Sequence, residues 1–123
     1  MANAFEVGKK LVALCKEGKS HEAVETLYDK DIVTVEAMDM PNMPREQKGI
    51  GACLAKEKWW NENHTVHGGK VDGPYPNGDR FAVRFTYDIT NKQSNQRTTM
   101  DEIAVYTVGK NGKIVREEFF YGQ

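Results

Sequence analysis

Net charge is almost absent from this chain. Its 123 residues hold 17 basic and 18 acidic side chains, a formal charge of −1. A balance of that kind gives no long-range field to draw in nucleic acid or anionic lipid. No basic run interleaved with aromatics offers a polynucleotide track either. Nucleic acid and membrane are therefore not expected as partners. Long hydrophobic runs are also missing: MANAFEVGKK lacks the apolar centre of a secretory signal, and no stretch approaches the ~20 residues that cross a bilayer. Cysteine is scarce, and Cys15 and Cys53 sit in apolar helical patterns without zinc-type spacing, so they read as buried thiols rather than a disulfide. No GxSxG elbow, phosphate loop, repeat or low-complexity linker occurs. The expectation is one cytoplasmic domain over 1–123, with neither metal nor cofactor.

The apolar spacing that is present has two periods. Phe5, Gly8, Leu11, Val12 and Cys15 mark one face of a helix over 4–17, with Gly18 suited to its end. Ser20 can cap a second helix whose inner face holds Ala23, Val24, Leu27 and Tyr28. A strand follows over 32–37. MDMPNMPREQ then places three methionines in six positions, as a flexible apolar lid or as gap-fillers. Helical spacing returns over 46–62 with Ile50, Cys53, Leu54 and Trp60 on one face and charges opposite. Trp59 and Trp60 point about 100° apart and cannot enter one groove together.

From His64 onward the period becomes two. Strands are expected over 65–72 and 80–89, then a closing hairpin over 99–121. Gly68-Gly69 suits a bulge, and Asn111-Gly112 suits a two-residue turn with positive φ at both central positions. Helices at one end of the chain and a four-stranded meander at the other imply an α+β fold, a curved antiparallel sheet wrapped over helices. Such a sheet leaves an apolar funnel.

LYDKDIVTVEA after the second helix, KWWNEN at the end of the third, and YTVGKNGKIVREEFFYG near the terminus together resemble the nuclear transport factor 2-like superfamily. The likeness covers nearly the whole chain and is to its SnoaL-like and ketosteroid isomerase-like members. It implies a cone-shaped fold, a pocket between sheet and helices, and often a homodimer across the outer sheet face. By this resemblance Glu36 stands where those isomerases carry a proton-shuttling aspartate. Independently, Ile32, Thr34 and Glu36 share a strand face, so Glu36 can lie at the rim of an apolar cavity, where desolvation raises a carboxyl pKa; the alternative has Val33 and Val35 facing the core and Glu36 solvated. Glu102 shares parity with Ala104, Tyr106 and Val108, and fits the family's second acid better than Asp101. In those isomerases that acid stays protonated and donates a hydrogen bond to an oxyanion. A one-residue slip would reverse the assignment; Glu102 would otherwise be a salt-bridge partner for an arginine such as Arg84 or Arg116. Glu117, Phe119 and Tyr121 correspond to pocket-lining positions, with Glu118 as the competing choice.

One departure stands out. The isomerases' tyrosine on helix one is replaced by Leu11, which leaves Tyr106 or Tyr121 as possible donors from the sheet. His64 and His67, three apart on a strand, face opposite sides and cannot share a metal; either alone can act as a proton relay. His21 belongs on the surface. The expected function is cofactor-independent acid–base chemistry on a small hydrophobic carbonyl compound: isomerisation, dehydration or aldol-type cyclisation. Glu36 is the base, Glu102 or Glu117 a second acid, and His64 or His67 a relay. Trp60, Phe85, Tyr106, Phe119 and Tyr121 line the pocket. The alternative is a non-catalytic ligand-binding or dimerisation module in which the acids serve structure.

Overall fold

A computed structural model describes residues 3–122. Three helices, α1 (Ala4–Lys16), α2 (Ser20–Leu27) and α3 (Ile50–Asn63), alternate with six strands: β1 (Tyr28–Val35), β2 (Glu46–Lys48), β3 (His64–Asn77), β4 (Arg80–Asn91), β5 (Arg97–Val108) and β6 (Ile114–Phe120). The strands form one sheet in the order β2-β1-β6-β5-β4-β3. All neighbours are antiparallel except β1 and β6. The α+β architecture expected from the order of periodicities is the one present.

Helix α1 starts where the Asn3 side chain accepts from the Glu6 N–H at 2.9 Å. It stops at Gly18, whose φ of 73° is one that a side chain would resist. Its inner face buries Val7, Leu11 and Val12 against Phe81 and neighbouring residues of the sheet. Gly8 permits that approach, since a Cβ there would lie 2.7 Å from Pro74 and 3.0 Å from the Phe81 ring. In the sheet, Ile32, Val83, Ala104 and Ile114 are completely buried, so the core lies between the inner sheet face and the helices.

Several boundaries differ from the expected ones. Ser20 is the first residue of α2 rather than its cap; Lys19 takes the cap position and makes no side-chain bond there. Strand β1 begins at Tyr28, because Tyr28 already pairs with Ile114. Residues 46–48 are not helical: they add an edge strand, with Glu46 opposite Val35 and Lys48 opposite Val33. A three-residue polar strand has no alternation to betray it. Strand β3 runs on through the expected GPYPNGD turn to Asn77, which leaves only Gly78 and Asp79 to turn the chain. The last hairpin has a longer turn than expected. The Gly112 N–H donates to the Gly109 carbonyl at 3.0 Å and the Gly109 N–H to Lys113 at 2.8 Å. Only Gly112, not Asn111, has positive φ (78°). This is a three-residue loop with a glycine bulge, one of the alternatives to the two-residue turn.

Candidate active site

A cavity of about 1060 Å³ opens between the helices and the inner sheet face. Trp60, Phe85, Tyr106, Phe119 and Tyr121 all line it, as do Glu36, Glu102 and Glu117. Strand alternation brings the acids there: Glu102 follows the parity of buried Ala104 and Tyr106, while Glu117 is itself buried at 3 % exposure. Their strand neighbours are committed to arginines. Asp101 pairs with Arg84 at 2.7 Å, and Glu118 with Arg116 at 3.0 Å.

Glu117 lies at the deep end and receives three donors. Tyr28 donates its phenolic hydrogen to Oε2, Thr34 Oγ1 donates to Oε1 at 2.9 Å, and the Cys53 thiol donates to Oε1 at 3.6 Å. Three donors favour the ionised form, whereas burial opposes it. Burial is the larger influence, so the carboxyl is raised above its ordinary value. Burial and then the Glu117 charge drive the Tyr28 phenol well upward, so Tyr28 stays a donor.

The same threonine links this pocket floor to a cation. Lys56 Nζ donates to Thr34 Oγ1 at 2.6 Å and to Glu36 Oε1 at 2.8 Å. Tyr121 donates to the other Glu36 oxygen at 3.3 Å. Glu36 is thus held from two sides as the counter-ion of a lysine that is itself mostly buried (13 % side-chain exposure). An ammonium has three N–H groups, and two are given to protein. The ammonium also stands 5.2 Å from the centre of the Phe119 ring, on the cavity wall.

Glu102 is different in kind. Burial, then the charges of Glu36 and Glu117, push its carboxyl up to about 7, with Lys56 pulling the other way. No hydrogen bond is among these influences, and no ion pair involves it among the described residues. Among the described residues it is the one cavity carboxyl with its oxygens uncommitted.

The two histidines separate. His64 lines the cavity, with Nδ1 2.9 Å from the Trp60 carbonyl and its ring stacked 4.6 Å from the Trp60 indole. His67 is not brought to the site: its Nε2 lies 2.7 Å from Thr90 Oγ1 among exposed residues. Both tryptophans line the cavity despite their divergence, Trp59 at its exposed rim. Met40 and Met43 also line it. They are bridged by paired backbone hydrogen bonds of 3.1 and 3.0 Å, so their loop is an ordered hairpin.

Sequence reasoning missed Tyr28, Thr34 and Lys56 as site residues. A signal existed for Lys56: it is three residues after Cys53 and four before Trp60, on the buried face of α3 rather than the charged one. Tyr28 and Thr34 could be read as inward-facing, but not as partners of a residue more than eighty positions away.

A family model for the SnoaL-like domain matches residues 2–121. A crystal structure from Mesorhizobium loti, provisionally described as a SnoaL-like polyketide cyclase, is 47 % identical with a TM-score of 0.87, covering 94 % of this chain and 97 % of that one. An NTF2-like protein from Burkholderia thailandensis shares the fold at 16 % identity and a TM-score of 0.80, over 98 % of this chain and 91 % of its own. A Bacillus subtilis protein provisionally described as an isomerase does so at 18 % identity and 0.71, over 98 % and 90 %. No curated protein matches the chain.

Proposed function

The chain belongs to the SnoaL-like domain family, within the NTF2-like and ketosteroid isomerase-like fold, and from that membership we propose that its cavity performs acid–base chemistry on a small hydrophobic carbonyl compound. The reaction is an isomerisation, dehydration or aldol-type cyclisation. One observation carries this reading: Glu102 lines the cavity with no ion pair among the described residues, and burial pushes its carboxyl up to about 7. A proton carrier works best when its pKa is near the ambient pH and its oxygens are free.

Glu102 takes over the base role expected of Glu36, because Glu36 is engaged by Lys56 and Tyr121. In the proposed sequence, the Glu102 carboxylate removes the proton α to the substrate carbonyl. The electron pair moves onto the carbonyl oxygen, and the Lys56 ammonium on the cavity wall stabilises the resulting oxyanion. The protonated Glu102 then returns its proton to another carbon in an isomerisation, to the departing hydroxyl in a dehydration, or to the alkoxide formed when the enolate carbon attacks a second carbonyl in a cyclisation. Glu36 holds the lysine, and Glu117 holds Thr34 and so the lysine's second contact. Both are positioning residues.

The competing reading, a ligand-binding module, is favoured by the complete pairing of Glu36 and Glu117. A homodimer across the outer sheet face is part of either reading. Thermal unfolding of wild type and Glu102→Gln against a panel of hydrophobic ketones separates the two. A ligand at about a hundred times its Kd adds roughly 2.7 kcal/mol of apparent stability. Compounds that stabilise both proteins but are converted only by wild type support catalysis. Binding without conversion by either protein makes the module the better account.

A further inference from the structure

The charges around the cavity do not balance, and the imbalance is local. Its lining includes Glu36, Glu57, Asp101, Glu102 and Glu117 against Lys16 and Lys56. Most are already satisfied within the protein. Glu36 neutralises Lys56, Asp101 is held by Arg84, Glu57 meets His21, and Glu117 is saturated by three donors. Lys16 is exposed at the last turn of α1. Glu102 remains as a carboxyl inside the cavity with no ion pair of its own among the described residues; the charge of Lys56 reaches it, but that ammonium is already neutralised by Glu36.

What surrounds Glu102 on the other side is aromatic. Phe85 is its direct cross-strand partner. The Tyr87 ring lies 6.1 Å from Phe85 and 6.4 Å from Trp60, and all three line the same cavity. Tyr87 is near enough to feel the Glu102 charge. Ring faces carry negative quadrupole potential, which attracts a cation whose hydration shell has been removed. A lone carboxylate beside such faces supplies what a weakly hydrated ammonium needs: a full counter-charge and aromatic contact for its methyl groups. An anionic ligand at the same place meets repulsion from both.

We infer that the cavity binds small organic cations, a tertiary or quaternary ammonium carried on an apolar body, with Glu102 as counter-ion and the Trp60, Phe85 and Tyr87 rings around the methyl groups. This ligand class is distinct from the neutral carbonyl substrate of the proposed reaction. A bound ammonium would compete with that substrate by occupying its proton carrier.

The test uses the intact chain and three probes of one shape family: benzyltrimethylammonium, its neutral carbon isostere neopentylbenzene, and phenylacetate. Binding is read from the fluorescence of Trp59 and Trp60, and far-ultraviolet circular dichroism checks that each variant is folded. Wild type should bind the ammonium about tenfold more tightly than the isostere, the scale of a desolvated cation–π contact with a counter-charge, and phenylacetate most weakly. Glu102→Gln should lose that preference to within about twofold while still binding the isostere. Phe85→Leu should weaken the ammonium more than the isostere. Equal or tighter binding of the isostere by wild type overturns the inference, as does a cation preference that survives in Glu102→Gln. Ketone turnover is not part of the readout, so this inference and the catalytic one can fail separately.

Discussion

Tyr28 donates its phenolic hydrogen to Glu117 across 89 positions of sequence, and both residues are buried. The bond joins the start of β1 to β6 beneath the cavity and orients the carboxylate that also holds Thr34. Tyr28→Phe removes one of three donors from a buried acid, so we expect a loss of about 1–3 kcal/mol, the cost of an unsatisfied buried polar group. Urea unfolding of the two proteins measures it. A loss below about half a kilocalorie would mean that Glu117 is protonated and does not need the donor.

Glu102 makes stability depend on pH in a known direction. Its folded pKa of about 7 lies above the 4.5 of an unperturbed glutamate, so the folded state binds the proton more tightly. That contribution is complete below about pH 4.5 and disappears as pH rises through 7, an upper bound of about 3 kcal/mol. Glu102→Gln should therefore unfold at higher urea than wild type at pH 8, and the gap should close towards pH 4. Parallel curves across that range would contradict the buried, uncommitted state of this carboxyl.

The same group sets the expected rate profile. For a converted substrate, kcat/KM should rise with pH through an inflection near 7, and Glu102→Gln should lower it by about 10²- to 10⁴-fold, the range for a general base. An inflection retained in the variant would point to another proton carrier, with His64 the next candidate in the cavity.

Lys56→Met tests the cation. It removes the ammonium and leaves Glu36 with Tyr121 alone. A drop of about 10²- to 10³-fold in kcat is expected if Lys56 faces the developing oxyanion. A change in KM alone would assign Lys56 to substrate binding instead.

Gly69→Ala tests the fold at the β3 bulge. An added Cβ would lie 2.3 Å from the Tyr87 ring and 2.4 Å from the Thr86 carbonyl. Overpacking of that severity costs about 1–3 kcal/mol, read as a fall in the unfolding midpoint. On the outer face, Ile103 and Phe120 are cross-strand partners and are 42 % and 54 % exposed. If this face closes the proposed homodimer, Ile103→Lys should give a monomer in light scattering.

Much of this architecture was legible because apolar spacing is local. The period of 3.6 located the helices, and the period of two located β3, β4, β5 and β6. Parity put Asp101 and Glu102 on opposite faces, and the family resemblance favoured Glu102. Errors fell where local signals were weak or ambiguous, at the polar strand 46–48 and the exact turn at Asn111-Gly112; between His64 and His67 the sequence left the choice open.

What the sequence determined by itself was the order of the three helices, the first strand and the closing four-stranded meander, which residues share a strand face, and the family that this order resembles. The tertiary structure decided which acids are free. Glu36, Glu102 and Glu117 are alike as residues, but their chemistry depends on partners supplied by other elements. Lys56 comes from α3, Tyr28 and Thr34 from a strand laid parallel to β6, and Glu102 alone receives no such partner. Pairings of that kind depend on chain closure over tens of residues, and no periodicity in the sequence encodes them.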